Sequence, residues 1–567
     1  VKAQVQSNGS VELSFKKNVR TELKAGQVDK YSIFLKQGQF AAIRIKQETV
    51  GIGYFVYTPD DSLIMNADLN ALYQTEVITI EATKTGHYRV EVFWDYSRPQ
   101  SGYYSIIWDK VEAIGKTEAD KARQLFQSWY DTDGPGATVM VIKDQKVIFK
   151  ATKGLANLEY KVPLSESSAV ELASVSKQFT GFAIAMLVDK GRLSLDDSLQ
   201  KFLPGLPYFG KTITIRHLVD HTSGFRNWDD IMNASGYKRE DLITMEMIIK
   251  MASTVRYLNF NPGDFFSYSN TGYNLLAIIV ERVTGQSFSG WMRENIFQPL
   301  GMSNTIIRDR IEQVISNRVY CYKAFKENYN LVPDNISAPG SSSVYSSIDD
   351  LLKWINNFET GQVGGKNVLS LIKTRDTLNN GKLLDYTFGN FIGKYKGVDK
   401  IEHLGLLSGF RTSIARFPGE KLAVIYLSND GNDATYQRAQ TIADVFLKNI
   451  KREPLKFRPL PDIKDYLVKT GPLVPYKDTS DLSAYEGTYL ARELNVSFAL
   501  KIIDSTLTIV LPRVDNIYLK REKPDEFNTT FPDFTRRVVF RRDENKKVTG
   551  FFLTTGGRGI LFTKMIN

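Results

Sequence analysis

Apolar and polar positions alternate with a period of two through the first hundred residues, in YSIFLKQGQFAAIRIKQ from Tyr31, GIGYFVYTPDDSLIM from Gly51 and GHYRVEVFWDYSRPQSGYYSIIW from Gly86. The alternation breaks at Pro59-Asp60-Asp61 and Thr85-Gly86, which predicts antiparallel strands and a β-sandwich or jelly roll over residues 1–112. From about residue 117 the period lengthens to that of amphipathic helices. Helices are predicted at about 117–130, 174–190, 214–221, 271–284 and 347–358, with Gly191, Gly285 and Gly361 at the C′ positions of three of them. A hairpin is predicted from 137–142 and 146–151 around Lys143-Asp144-Gln145. Strands return at 409–417 and 421–427, joined by Pro418-Gly419, before a last helix at about 434–449. Helices on an antiparallel sheet make residues 113–453 an α/β domain. The Pro-studded stretch from Pro454 to Pro475 has no clean period, so 454–481 reads as a linker. Residues 482–567 alternate again, in SFALKIIDSTLTIVLP and RRVVFRRDENKKVTGFFL, and predict a small antiparallel barrel or sandwich.

Length agrees with this division, since 567 residues suggest three to four domains at roughly 150 residues each. The net charge of +10, from 73 Lys+Arg against 63 Asp+Glu, raises the question of nucleic acid. Both signs are interspersed, however, and the densest basic cluster, Arg536, Arg537, Arg541, Arg542, Lys546 and Lys547, flanks Asp543-Glu544-Asn545 in what reads as a hairpin turn. This pattern is that of a solvated surface, with no nucleic-acid partner expected. The single cysteine, Cys321, excludes an intrachain disulfide, a Cys-rich zinc site and a CxxC pair. Apolar stretches such as 182–188 fall far short of the ~20 residues of a membrane span. The first residue is Val1, with KAQ beside it; the expectation is an exported protein, periplasmic or extracellular, whose signal peptide has been removed.

The candidate chemistry lies in ELASVSKQFTGFAIAMLV, from Glu171. Ser174 is placed at a helix start and Lys177 one turn on, on the same face. A lysine among apolar neighbours loses its proton near neutral pH, and the serine at the positive end of the helix dipole then becomes a nucleophile. S-x-x-K alone is weak, because Ser14/Lys17, Ser198/Lys201, Ser235/Lys238 and Ser370/Lys373 also match. Two companions strengthen it. Tyr268-Ser269-Asn270 feeds a helix; a tyrosine beside an ammonium can ionise and relay a proton, and an asparagine amide can hold an acyl group. His403-Leu404-Gly405 stands at a strand edge, where Gly405 would admit substrate and the Leu406 N–H would complete an oxyanion hole with that of Ser174.

S-x-x-K, Y-x-N and H-x-G in this order, with ITIRHLVDHTSGF, PGDFFSYSNTGYNLLAIIVERVTG and HLGLLSGFRTSIARFP, resemble the serine β-lactamase and penicillin-binding-protein superfamily over most of 117–450. The closer likeness is to the class C β-lactamase-related branch, with its D-aminopeptidases, DD-peptidases and carboxylesterases. The resemblance implies a β-lactamase-type catalytic domain in which Ser174 is acylated, Lys177 and Tyr268 share the general-base and general-acid work, and Asn270 positions the substrate. It implies no metal and no cofactor, and a small peptide, amide or ester as substrate. Where β-lactamases carry K-T-G to grip a carboxylate, this chain has His403-Leu404-Gly405; H-x-G resembles the D-aminopeptidase and esterase members and argues against efficient β-lactam hydrolysis. The N-terminal segment resembles domains appended to secreted bacterial peptidases, and YEGTYLARELNVSFALKI through VTGFFLTTGGRGILFTK resembles a lipocalin-like domain.

Other chemistries fit less well. A Ser-His-Asp hydrolase must draw on His87, His217, His221 or His403, and the chain has no G-x-S-x-G elbow. His217 and His221 have i, i+4 spacing without the Glu of H-E-x-x-H, so a structural helix and turn is the favoured reading over a metal site. A non-catalytic binding protein on this scaffold would not need Ser174, Lys177, Tyr268 and Asn270 together.

Overall fold

The computed structural model describes residues 10–69, 73–94, 101–235, 237–238, 240–448, 450, 481–492, 494, 496–510, 516–531, 534–554 and 559–565. The expected linker from Pro454 to Pro475 lies outside the described residues.

The N-terminal alternation folds as two sheets. One runs in the order Val11–Glu12, Val28–Leu35, Gly86–Trp94, Ile52–Tyr57, Leu63–Leu69, and the other in the order Asn18–Lys24, Ser101–Ala113, Gln39–Gln47, Thr75–Glu81. Their inward residues, among them Ile33, Ile43, Ile45, Val56, Ile78, Val90 and Ile106, form one core, as a sandwich requires. The outward Phe40 and Ala42 of the second sheet join a different core with Phe126 and Tyr426. The sandwich is therefore packed onto the domain that follows. Arg44 adds a polar tie, donating to Ser128 O at 2.9 Å.

The central domain is built on a seven-stranded antiparallel sheet. Its strands are β1 (Ala137–Lys143), β2 (Lys146–Lys153), β3 (Tyr386–Thr387), β4 (Asn390–Tyr395), β5 (Val398–Leu407), β6 (Phe410–Phe417) and β7 (Leu422–Ser428), in the order β2-β1-β7-β6-β5-β4-β3. Both faces are covered, which explains why β1 reads ATVMVI, nearly all apolar with its one polar residue, Thr138, buried as well. Val139 and Val141 meet α1 (Glu118–Trp129) and the terminal helix Thr435–Phe446 on one face; Met140 and Ile142 meet the main helical layer on the other. Thr117 caps α1 through a reciprocal box with Asp120.

The helical layer centres on α2 (Ser176–Asp189) and α3 (Asn270–Thr284). Every residue from Ser176 to Leu187 is buried, so from Phe179 on α2 is apolar on nearly every side. Phe179 and Phe182 pack on Trp354 with ring centroids 4.3 and 5.1 Å apart. Gly285, at φ 75°, ends α3 in the left-handed region that lets its N–H reach Glu281 O. No helix of the described residues is long and apolar enough to cross a membrane.

The last alternating segment closes into an eight-stranded barrel from Gly487–Ala491 to Ile560–Lys564. Phe498, Phe551 and Phe562 stack in its interior. Asp543-Glu544-Asn545 falls between the strands Phe534–Arg542 and Val548–Thr554, the hairpin turn expected there.

Candidate active site

Ser174 lies in a 3-10 turn, Ala173–Val175, just ahead of α2, and not in the first turn of the α-helix as the periodicity suggested. The turn depends on Ala173 at φ 50°, a left-handed conformation that costs a non-glycine residue about 1–2 kcal/mol. Neighbours hold it there. The Glu171 carboxylate accepts the N–H of Ala173 at 3.1 Å and of Ser343 at 2.7 Å, and Thr412 Oγ1 donates to Leu172 O at 2.7 Å. Gly405 of β5 lies against the same turn: a methyl there would run into Leu172 O and Thr412 Oγ1. Strand-to-turn packing therefore calls for glycine at this position, a need distinct from the substrate approach that the H-x-G pattern suggests.

Lys177 is fully buried. Its Nζ lies 3.1 Å from Ser174 Oγ, 2.7 Å from Asn270 Oδ1 and 2.8 Å from Ser341 O, and it sits 4.8 Å from the Tyr268 ring centroid. Burial lowers its pKa to about 7, with the Asp229 carboxylate acting weakly the other way. A neutral amine has two N–H bonds and one lone pair. Asn270 and Ser341 take the two N–H groups, which leaves the lone pair for the Ser174 hydroxyl.

Each partner is itself held. Asn270 opens α3; its N–H donates to Asn227 Oδ1 at 2.9 Å and its Nδ2 to Asp229 Oδ2 at 2.8 Å. The segment bearing Ser341 is pinned where Asn274 Nδ2 donates to Ala338 O and Pro339 O, and where Thr180 donates to Gly340 O. Tyr268 has a buried hydroxyl without a hydrogen-bond partner, and the Ser174 hydroxyl is its polar neighbour. Burial raises its pKa, so it stays a phenol at neutral pH. The expectation that the lysine ammonium would ionise it does not match this geometry, because Nζ faces the ring and desolvation prevails.

His403 on β5 is buried, with Nδ1 2.7 Å from Leu404 O and Nε2 3.3 Å from the Tyr386 hydroxyl. Burial lowers its pKa to about 3, so the imidazole is neutral and engaged inside the protein. Two residues past Leu404, Leu406 is 64% exposed. Phe266 and Phe391 are also exposed and make ring contacts with Tyr386, giving this side of the site an apolar rim.

The two histidines at i, i+4 part company. His217 turns back to cap its own helix at Thr214, whereas His221 follows the helix at φ 56°. There His221 Nδ1 accepts the Ser269 N–H at 3.1 Å and its ring packs against that of Tyr268, tilted by 42° with centroids 4.3 Å apart. Asp229, Asn227, Ser341 and Tyr386 thus support the site without belonging to any motif the sequence exposed, and His221, noted there only for its spacing from His217, supports it with them. Among the described residues, no three His, Cys, Asp or Glu side chains gather as a metal site.

The C-terminal barrel reaches the same region. Arg226, next to Asn227, donates from Nη2 to Gly559 O at 3.1 Å and from Nε to Tyr257 O at 3.3 Å. Leu494 of the barrel packs against both its own core and that of the central domain.

Comparison with known proteins gives a consistent picture. The family model described as Beta-lactamase matches residues 119–446. Penicillin-binding protein 4* of Bacillus subtilis (strain 168) is 29% identical over 400 residues, 65% of this chain and 84% of that protein. A D-aminopeptidase of Gluconobacter oxydans (strain 621H) is 26% identical over 366 residues, 64% of each chain. Among solved structures, the octameric penicillin-binding protein homologue from Pyrococcus abyssi superposes with a TM-score of 0.51 at 23% identity, over 76% of this chain and 96% of its own.

Proposed function

The chain belongs to the β-lactamase family and is a serine hydrolase, and on that premise we propose that it forms an acyl-enzyme on Ser174 while cleaving small amides or peptides that carry a D-residue. The observation that carries this reading is the lysine whose two N–H groups are taken by Asn270 Oδ1 and Ser341 O while Ser174 Oγ lies 3.1 Å away. In this reading Ser174 Oγ attacks the substrate carbonyl as its proton passes to Lys177 Nζ. The N–H groups of Ser174 and Leu406 hold the oxyanion. Tyr268, a phenol beside Ser174, hands a proton to the departing nitrogen and is restored by the proton lodged on Lys177. Water then attacks the acyl group by the reverse route, and Ser174 is freed. Asn270 serves the lysine and the incoming acyl group together.

The D-residue preference is supported by the D-aminopeptidase among the relatives, and the neutral, buried His403, which presents no fixed cation to a substrate carboxylate, weighs against β-lactams. Short esters are the second reading, favoured by the apolar rim of Leu406, Phe266 and Phe391. The test compares hydrolysis of D-alanyl and L-alanyl p-nitroanilide with that of a short p-nitrophenyl ester, in wild type and Ser174→Ala. Ser174-dependent turnover of the D-amide over its L-isomer is the expected result. Ester turnover with both amides untouched would move the assignment to the esterases.

A further inference from the structure

We propose that Asp229 is a positioning residue for the lysine base: its carboxylate fixes the Asn270 amide with Oδ1 turned to Lys177, closing a chain from Lys177 through Asn270 to Asp229. The inference rests on the acyl-enzyme reading, in which Lys177 is the base. An asparagine amide has an acceptor end and a donor end, and the two neighbours decide which way it faces. Turned over, it would set its NH2 against Nζ, repelling an ammonium or claiming the lone pair of the neutral amine, and Nζ would lose the 2.7 Å acceptor that keeps its lone pair free for Ser174. Asp229 Oδ2, 2.8 Å from Asn270 Nδ2, accepts only and so forbids the turned-over state.

The placement of Asp229 is not explained by stability. It is half-buried; its Oδ1 is shut away from water without a hydrogen-bond partner, and an unpaired buried carboxylate oxygen costs free energy that an apolar side chain would not. Burial raises its pKa to about 6, Asn270 and Lys177 pulling the other way. Asp230 is the nearest like charge. Around the lysine itself stand His221 and His403, both neutral through burial, and the rings of Tyr268 and Tyr273.

The experiment is the rate of Ser174 labelling by a fluorophosphonate, read by intact mass from pH 5 to 9, in wild type, Asp229→Asn and Asp229→Glu. Asp229→Asn should lower the plateau roughly ten- to a hundredfold, the scale of a misplaced catalytic group. It should also move the lysine limb to lower pH, because a negative charge that favours the ammonium is gone. Asp229→Glu keeps the charge but displaces the carboxylate, so its limb should stay in place while its plateau falls less. It also keeps the test open if the Asn variant does not fold. Wild-type plateau and limb in Asp229→Asn, or equal losses in both variants with neither limb moved, would overturn the inference and leave Asp229 as packing. A wild type that does not label at Ser174 would overturn the acyl-enzyme reading first and this inference with it.

Discussion

Burial of Lys177 is the largest quantitative claim the site makes. At its ordinary value of 10.5, about one lysine in 3,000 is neutral at pH 7; at about 7, roughly one in two is. Desolvation therefore raises the supply of base at pH 7 about 1,500-fold, a gain partly offset by the weaker basicity of the amine. The acylation rate of Ser174 should consequently rise tenfold per pH unit below about 7 and flatten above it, so that at pH 5 it is about one hundredth of the plateau. Lys177→Arg supplies the perturbation. A guanidinium cannot deprotonate, so the variant should acylate about a thousandfold more slowly at pH 8 and show no limb between pH 5 and 9. The assay is time-dependent fluorophosphonate labelling at Ser174, which follows acylation without deacylation. A wild-type midpoint near 10, or a limb near 7 that survives in Lys177→Arg, would refute the reasoning, because the titrating base would then be another group.

Other outcomes follow from the same geometry. Tyr268→Phe should lower amide turnover at least ~100-fold, the usual scale of proton transfer by a positioned side chain; a near-wild-type rate with the D-alanyl p-nitroanilide would remove Tyr268 from the chemistry. Gly405→Ala should lower the melting temperature through overpacking of about 1–3 kcal/mol against Leu172 and Thr412 and also slow acylation, and an unchanged melt would contradict the packing. Unfolded Lys177 titrates at 10.5 and folded Lys177 at about 7, so between these values the unfolded chain holds a proton that the folded one lacks. Wild-type stability relative to Lys177→Met should therefore rise with pH from about 7 to about 10.5 and level off above it, and a difference in melting temperature that is flat or falls over that window would reverse the sign.

Much of the architecture was written locally. The switch in period near residue 117, the glycine stops at Gly285 and Gly361, and the paired strands either side of Pro418-Gly419 rest on neighbours in sequence, so periodicity and cap chemistry reveal them. Ser174 and Lys177 were legible for the same reason, being one turn apart. What surrounds them was not. Ala173 carries no mark of a left-handed residue, because its conformation is imposed by Glu171, Thr412 and Gly405 from three separate strands. Asp229 is one of 63 acidic residues, distinguished only once folding sets it against Asn270. His221 looked like half of an i, i+4 pair, and only the end of its helix at Val219 turned it toward Ser269. Tyr268 shows the same limit in its electrostatics: proximity to a lysine suggests ionisation, but the low-dielectric packing that neutralises the lysine also keeps the phenol protonated.

The link from Arg226 to Gly559 gives the barrel a place in the life history of the enzyme. Arg226 is adjacent to Asn227, which holds the first residue of α3, and that residue faces the lysine. A nascent chain can therefore complete the sheet, the helices and the nucleophile turn and still lack one anchor of the segment that orients its base. That anchor arrives only when Gly559 and its neighbours have been synthesised. The barrel and the segment that orients the base are therefore joined late in synthesis, by a contact that spans 333 positions of sequence.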